Sequence, residues 1–306
     1  MADGLDEQAR QVLSGERSWH VCRGDSAELL RLLPDACVDL IVTDPPYGHN
    51  NNDDDLIARR EKALGVRATA EQAAPRPIAN DGEEADPLFQ TVMAQSRRLL
   101  RSGGCCCCCC GGGGGPDPQF ARWSLWMDEH LDFKQMVVWD KGPMGMGWHY
   151  RRSYECVLVA TKPGGACKWY DQSGKVENII RPGHRVLGSS VRKIIPRADD
   201  HPTPKPWQLA AEFVRLHSQA GDLVLDPFAG HGWVGEACVR MGRRYLGIEI
   251  DAGFVDAARA KIAEAAGDGD GFMFSTAHGG SSAGRGGDEV VLSGLLGSPE
   301  SVGGGA

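Results

Sequence analysis

The sequence lacks an apolar run long enough to cross a bilayer, and no signal peptide precedes Trp19, because residues 1–15 are polar and acidic. We therefore expect a cytoplasmic protein without a membrane partner. An excess of positive charge is also missing, since 33 lysines and arginines stand against 41 aspartates and glutamates, for a net charge of −8. This balance excludes a broadly basic nucleic-acid binder, but it still allows a local basic strip.

The most informative segment that is present is Asp44-Pro45-Pro46-Tyr47, which we call the hook. It follows the apolar run Val38–Thr43, which predicts a short buried parallel strand. The hook would then lie at the carboxyl end of a sheet strand, where open α/β sheets bind ligands. Its two prolines fix φ and make it rigid. A carboxylate and a prolyl carbonyl can accept the hydrogens of an amino group while a phenol stacks on the ring, so the hook suits a nucleobase amine.

A second pattern predicts a cofactor site. The apolar strand Leu223–Asp226 runs into the turn Gly230–Gly235, which matches the Gly-x-Gly-x-x-Gly fingerprint. A helix and the strand Arg244–Asp251 follow, and Glu249 stands where a carboxylate would take a ribose diol. This order predicts a nucleoside-containing cofactor, with NAD as an alternative on glycine spacing alone.

With these two motifs, the chain resembles the amino-group DNA methyltransferases that use S-adenosylmethionine. The resemblance is to the permuted, beta-type order, in which the hook precedes the cofactor motif, and it covers roughly residues 18–263. Four more segments resemble family elements: Arg23-Gly24-Asp25-Ser26, Val137–Lys141, Tyr154–Lys162 and His201–Pro206. Two residues depart from the family pattern, because His231 and Trp233 stand where smaller residues are common.

The resemblance implies an α/β, Rossmann-like S-adenosylmethionine-dependent methyltransferase fold with a seven-stranded, mostly parallel sheet. The cofactor strand would be central, with the hook strand beside it. The implied catalytic residues are Asp44, Pro45, Pro46 and Tyr47. The implied residues for S-adenosylmethionine are Asp25, Asp44, Thr203, Lys205, Asp226, Phe228, Ala229, Gly230, Gly232 and Glu249. In this arrangement the adenine lies near Asp25, and Thr203 and Lys205 lie near the methionine carboxylate.

Six of the 11 cysteines are consecutive, at Cys105–Cys110. Adjacent cysteines do not meet disulfide geometry with one another, and a zinc site needs spaced pairs with partners elsewhere. Free cysteine is small and readily buried. Because the family has a buried strand after a helix and two glycines at this place, we interpret the run as a sheet strand without metal. A metal site in the run is the alternative.

Composition suggests the organisation of the chain. We expect a polar lead at 1–17, a catalytic domain at 18–265 and a disordered, glycine- and serine-rich tail at 266–306. We expect residues 48–86 to form a long polar loop, and the resemblance implies that this loop reaches over the target base. Residues 163–200 are the expected target-recognition region.

Basic residues concentrate in and just before this region. We expect six of them to contact DNA phosphates: Arg151, Arg152, Arg181, Arg185, Arg192 and Lys193. A solvated face is the alternative interpretation.

The sequence thus predicts a site-specific methyltransferase for the N6 amino group of adenine in double-stranded DNA, with N4 of cytosine as the alternative. Asp44 favours adenine, because many family members that act on cytosine carry serine there. A ring carbon would require a nucleophilic cysteine, and the hook has none. An inactive DNA-binding relative, an NAD-dependent oxidoreductase and methylation of RNA or protein are further alternatives. The resemblance also implies a bacterial or phage origin, and it leaves a homodimer and a cognate restriction endonuclease open.

Overall fold

In the part of the chain that the structure describes, eight strands form a mixed sheet with helices on both faces. The computed structural model describes residues 5–48, 78–110, 119–142, 153–186, 189–191 and 205–267. These residues belong to one unit, Met1–Asp270. The predicted tail lies outside the described residues from position 268 onward.

Helices connect many of the strands of the main sheet. The helices are α1 (Glu7–Ser14), α2 (Ser26–Leu29, continued by a 3₁₀ turn at Leu30–Leu32), α3 (Ala85–Leu99), α4 (Gln119–His130), α5 (Trp207–His217), α6 (Trp233–Arg240) and α7 (Ala252–Gly267). The strands of the main sheet are β1 (Trp19–Arg23), β2 (Val38–Thr43), β3 (Leu100–Cys110), β4 (Asp132–Asp140), β5 (Tyr154–Thr161), β6 (Ile179–Ile180), β9 (Leu223–Asp226) and β10 (Arg244–Glu249). A separate hairpin consists of β7 (Arg185–Val186) and β8 (Ser189–Ser190).

The strand order is β1-β10-β9-β2-β3-β5-β4-β6, and β5 runs antiparallel to both of its neighbours. The cofactor strand β9 and the hook strand β2 are parallel neighbours, with Leu40 opposite Val224 and Ile41 opposite Leu225. From β9 the chain continues through α6 to β10 on one side, whereas from β2 it continues through α3 to β3 on the other. A crevice therefore opens between the carboxyl ends of β9 and β2, which is where α/β sheets bind ligands.

The predicted α/β fold and the adjacency of the two strands are confirmed, and the described residues form eight strands in this sheet, one more than the predicted seven. The eighth strand is β6, which pairs in parallel with the edge strand β4. It has two residues, and its Ile180 is buried while Ile179 is exposed. So short a strand has no periodicity to detect in a sequence.

The cysteine run forms most of β3, between β2 and β5, as predicted. Alternate side chains enter opposite cores. Cys105, Cys107 and Cys109 pack with residues of α5, α6 and α7, whereas Cys106, Cys108 and Cys110 pack with residues of α1, α3 and α4. A strand covered on both faces needs apolar side chains at every position, and a small thiol satisfies this on each side. That the run holds no metal stays a prediction.

Helix α1 lies in the segment that was expected to be a polar lead. Asp6 caps its amino end, and its Ala9 and Val12 are fully buried. The Arg244 guanidinium donates to the carbonyl oxygen of Val12 at 2.7 Å, which ties α1 to β10. The predicted boundary at residue 18 stays a prediction. Within the described ranges, no helix has the length and apolar character needed to cross a membrane.

Candidate active site

The hook leaves the fully buried strand β2 and is held at its far end by a buried carboxylate. Asp81 accepts hydrogen bonds from the backbone N–H groups of Tyr47 and Gly48, both at 2.9 Å. Its side chain is buried. Two prolines and this anchor fix the path of the hook, so Asp44 and Tyr47 project from a rigid backbone.

The Asp44 carboxylate lies in a buried network of charges. Lys205 donates to Asp44 Oδ2, and the Tyr47 hydroxyl donates to Asp44 Oδ1 at 2.5 Å. Lys205 Nζ also lies 3.2 Å from Tyr47 Oη and 3.3 Å from Glu155 Oε2. Glu155 in turn pairs with Lys141 Nζ at 2.5 Å. Two carboxylates therefore share the ammonium group of Lys205, and the second carboxylate has an ammonium partner of its own.

These contacts shift the titration of each group. Burial raises the pKa of Asp44 above its usual value, and the Lys205 ammonium offsets only part of this effect. Burial also acts to raise the pKa of Glu155, but Lys205 and Lys141 outweigh it and hold that pKa at about 2. For Lys205, the carboxylates of Asp44 and Glu155 outweigh burial, so its pKa is raised. Glu155 is thus the permanent anion of the network, and Asp44 is the carboxylate whose charge is more easily lost.

The phenol of Tyr47 remains neutral and acts as a donor. Burial and the neighbouring Asp44 charge raise its pKa well above 10. Its ring meets the Trp123 ring edge-on at a centroid distance of 6.1 Å, and Trp123 is itself stacked on Phe89 at 4.2 Å. The core side of the hook is therefore supported by aromatic packing.

Asp226 ends β9 and connects the cofactor strand to the hook strand. Its Oδ1 accepts from the Thr43 hydroxyl at 2.8 Å and from the Phe228 N–H at 3.1 Å. Tyr245 Oη lies 3.4 Å from Oδ2. The side chain is fully buried, and burial raises the pKa of Asp226 to about 7 although the hydrogen bonds from Thr43 and Phe228 oppose the shift.

The glycine turn is held against the end of β10 by Glu249. Its two carboxylate oxygens accept from the N–H groups of Gly230 and Asp251, each at 2.9 Å. Gly232 has φ of 74°, and a Cβ there would lie 3.1 Å from Ala258 of α7. Only glycine allows this turn to reach so close to the neighbouring helix.

Asp25 is brought to the same edge of the sheet. The N–H of Gly24 donates to the Glu249 carbonyl at 2.9 Å, so the ends of β1 and β10 lie side by side. The Asp25 carboxylate caps α2 by accepting from the N–H of Ala27 at 2.7 Å. Phe228 is half-buried, whereas Ala229 is buried and its N–H donates to Ile248 at 2.8 Å.

The two residues that depart from the family pattern occupy different environments. Trp233 is 5% exposed and packs in the core with α5 and α7. The His231 ring lies 5.0 Å from the Phe254 ring. The bulk of Trp233 is thus absorbed by the core beneath the turn.

Most of the predicted catalytic and cofactor residues lie close together in the structure. Some of the predicted residues lie outside the ranges that the structure describes. Asp44 to Tyr47, Lys205, Asp226, the glycine turn, Glu249 and Asp25 lie along the carboxyl ends of β2, β9, β10 and β1. Arg185 is exposed in the hairpin. Arg181 is exposed just before the hairpin and pairs with Glu177. The predicted residues outside the described ranges are Arg151, Arg152, Arg192, Lys193 and Thr203.

Sequence reasoning missed three residues of the network. Glu155 and Lys141 lie in segments identified only as strands, although an acid inside the apolar run of β5 is a signal of a buried charge. Asp81 gave no signal, because it lies 34 positions after Tyr47 in the sequence. Lys205 contacts Asp44 and Tyr47 of the hook, and its predicted place near the methionine carboxylate stays a prediction.

Comparisons with known proteins agree on one family. The family model for DNA methylase, of the N6/N4 type, matches residues 38–260. The protein DNA adenine methyltransferase YhdJ of Escherichia coli (strain K12) is 26% identical over 264 residues, which cover 79% of this chain and 81% of that protein. Type II methyltransferase M.HinfI of Haemophilus influenzae is 26% identical over 260 residues, which cover 80% of this chain and 68% of that protein.

Solved structures give the same picture. TTHA0409 from Thermus thermophilus, in complex with S-adenosyl-L-methionine, superimposes with a TM-score of 0.55 and 25% sequence identity. The superposition covers 81% of this chain and 95% of that chain.

Proposed function

Because this chain belongs to the N6/N4 family of DNA methylases, we propose that it transfers the methyl group of S-adenosylmethionine to the N6 amino nitrogen of adenine in double-stranded DNA. The observation that carries the proposal is the position of the Asp44 carboxylate. It lies at the carboxyl end of β2, directly beside the cofactor strand β9, with acceptor oxygens that an amino group can use.

The edge formed by β1, β10 and β9 suits a nucleoside-containing methyl donor. Glu249 would accept the ribose diol, and Asp25, which follows the Gly24 N–H that donates to the Glu249 carbonyl, would lie on the adenine side. Gly230 and Gly232 leave the turn without side chains, so Asp226, Phe228, Ala229 and Lys205 would lie along the methionine part. Thr203, also predicted for the methionine end, lies outside the described residues. S-adenosylmethionine supplies an electrophilic methyl group when it is bound. This fit agrees with the complex of TTHA0409 with the same molecule.

The target base has to leave the duplex to reach the hook, at a cost of a few kcal/mol for unstacking. Tyr47 offsets part of this cost by stacking on the base. The Asp44 carboxylate and the Pro45 carbonyl then accept the two hydrogens of the amino group. Because both acceptors stand on a rigid segment, they hold the nitrogen lone pair in line with the methyl group.

The existing hydrogen bonds of Asp44 limit how an amino group can bind to it. Asp44 already accepts from Lys205 and Tyr47, so an incoming amino group has to displace or share one of these donors. Glu155, 3.3 Å from the same Nζ, offers the ammonium a second carboxylate. Asp44 can therefore turn towards the base without leaving a buried lysine unpaired. As the nitrogen gains positive charge in the transition state, the ionised Asp44 stabilises it.

The chemistry does not call for a covalent intermediate. Attack through a ring carbon needs a thiolate nucleophile. The cysteines beside the hook strand, Cys108 and Cys109, are buried, and burial raises the pKa of both well above 9. They stay thiols, which supports an amino nitrogen as the acceptor of the methyl group.

The choice of adenine rests on two observations. The first hook residue is Asp44, and family members that act on adenine usually carry aspartate there. The relative YhdJ is a DNA adenine methyltransferase. N4 of cytosine is the alternative within the family. The DNA backbone would lie against the basic strip that includes Arg181, Arg185, Arg192 and Lys193. The bacterial cytoplasm, a homodimer and a cognate restriction endonuclease stay predictions.

Calorimetry followed by a transfer assay tests the proposal. We expect S-adenosylhomocysteine to bind and NADH not to bind. Tritiated methyl groups should then pass from S-adenosylmethionine to mixed-sequence duplex DNA and not to RNA of the same sequence. The proposal would be contradicted if NADH bound tightly and S-adenosylhomocysteine did not bind. Methyl transfer to RNA only would also contradict it.

A further inference from the structure

A pair of thiols lies near the amino ends of the parallel strands, away from the hook. Cys105 Sγ is 3.2 Å from Cys167 Sγ. Cys105 is opposite Leu40 in β2, four residues before Asp44, or about 13 Å along the strand. The proposed methyl transfer uses neither cysteine.

The backbone holds the two thiols together. After β5, the N–H groups of Lys162 and Lys168 donate to the carbonyls of Gly104 and Gly103, each at 2.9 Å. A Cβ on Gly103 would lie 2.4 Å from the Ala166 carbonyl oxygen, so only glycine lets the loop pack this closely. The Lys168 ammonium is also fixed, by Asp39 at 2.9 Å. The contact between the thiols is therefore a result of strand and loop pairing.

The two thiols differ in environment, and a histidine completes the group. Cys105 is fully buried, whereas Cys167 is exposed. His217 is 3% exposed, and one of its ring nitrogens lies within 4.8 Å of both sulfurs. Its Nδ1 is 3.1 Å from the Lys168 carbonyl oxygen, which only accepts, so Nδ1 carries a hydrogen. A hydrogen bond from Cys105, together with His217, lowers the pKa of Cys167 to about 5. Cys167 is thus a solvent-facing thiolate at neutral pH.

We propose that Cys167 is an oxidation site for hydroperoxides and that Cys105 is its resolving thiol. An exposed thiolate beside a second thiol is the arrangement that redox-sensing cysteines use. The Cys167 thiolate attacks one peroxide oxygen, the O–O bond breaks, and hydroxide or alkoxide leaves. Cys105 Sγ then attacks the sulfenic sulfur, an S–S bond forms, and the hydroxyl leaves with the Cys105 proton as water. The two cysteines lose two electrons, and the peroxide is reduced by two. The sulfurs have to approach from 3.2 Å to about 2.05 Å.

The disulfide would join β3 to the loop that follows β5. That loop is the first part of residues 163–200, the region expected to read the target sequence. Oxidation would therefore fix the start of the recognition region to the sheet.

The test treats the full-length protein with hydrogen peroxide and maps disulfides by non-reducing mass spectrometry. We expect a loss of two mass units and a link between the peptides that contain Cys105 and Cys167. The link should disappear in Cys167→Ser and in Cys105→Ala, and it should persist in Cys37→Ser, which removes another partly exposed thiol. Persistence of the link in Cys105→Ala, or irreversible oxidation of Cys167 without a link, would overturn the proposal.

A second measurement on the unmodified protein does not depend on whether the variants fold. The rate of iodoacetamide alkylation at Cys167 should hardly change from pH 8 to pH 6, whereas the rate at Cys37 should fall about tenfold per pH unit, because alkylation follows the thiolate fraction. Equal pH dependence at both cysteines would contradict the proposal. Stoichiometric zinc that blocks alkylation of Cys167 would replace it with a metal site.

Discussion

Asp44 is the residue on which the proposed chemistry depends most. Its carboxylate stands at the end of β2 with Tyr47 and Lys205 as donors, and an amino group from DNA has to join this set. The sequence predicted the hook because two prolines beside an acid at a strand end fix the backbone and present the carboxylate on a rigid segment. It did not predict the pairing of Lys205 with Asp44, since the two residues are far apart in the chain.

We expect Asp44→Ala to lower the rate of methyl transfer at least ~100-fold, because the acceptor for the developing ammonium charge is lost. Binding of S-adenosylhomocysteine should be retained, since Lys205 keeps Glu155 as a partner. The matched control is Asp35→Ala, which removes an exposed carboxylate just before β2. Transfer assays and calorimetry on both variants check this. Full activity of Asp44→Ala would remove Asp44 from the catalytic role.

Asp226 predicts a dependence of stability on pH. Its native pKa is raised to about 7, above the ordinary value near 4, so the folded state binds the proton more tightly than the unfolded state. The stability that it contributes is complete below about pH 4 and is lost as pH rises through 7. The loss amounts to about 4 kcal/mol by pH 8, at about 1.4 kcal/mol per pKa unit.

The variant Asp226→Asn removes this titration, because an amide does not ionise. Urea unfolding at pH 5 and pH 8 should show a smaller drop in the free energy of unfolding for the variant than for the unmodified protein. Asp222→Asn, just before β9, should keep the full drop. Equal drops in all three proteins would contradict the assignment of the raised pKa to Asp226.

At the scale of elements, the sequence predicted those that have strong periodicity or clear punctuation. Strands β2 and β9 have the predicted bounds, and the cysteine run forms a strand because thiols fit both cores. The short strands β6 to β8 were missed, since two residues carry no period. The buried charges of Glu155 and Asp81 were missed because they pair across elements that are distant in the chain. The permuted order of the family stays a prediction.

The glycine turn before α6 gives a test of element packing. In Gly232→Ala, the backbone keeps φ of 74° and the added Cβ lies 3.1 Å from Ala258, so we expect a lower melting temperature and weaker cofactor binding. Gly174→Ala is the matched control, because φ is 64° there and no atom lies within 4 Å. Gly174→Ala should lose only the backbone contribution, about 1 kcal/mol. Equal losses in the two variants would mean that the turn can move away from α7.

At the scale of the whole molecule, the net charge of −8 repels DNA phosphates. The basic strip therefore has to supply the favourable contacts with DNA. We expect the double variant Arg192→Ala, Lys193→Ala to bind duplex DNA more weakly. The slope of log affinity against log salt should be flatter by about 2, because each phosphate contact contributes about 0.9. Arg10→Ala, Lys134→Ala is the control, since both residues are exposed and lie outside the strip. An unchanged slope in the first variant would place the strip away from DNA.

The identity of the methylated atom tests the central claim most directly. Duplex DNA is methylated with labelled S-adenosylmethionine, digested to nucleosides and weighed by mass spectrometry. The proposed mechanism predicts N6-methyladenine, because Asp44 and the Pro45 carbonyl hold an exocyclic amino group. N4-methylcytosine would keep the mechanism and overturn the choice of base. A 5-methylcytosine product would contradict the mechanism itself, because methylation of that ring carbon requires a nucleophilic thiolate and the hook holds a carboxylate.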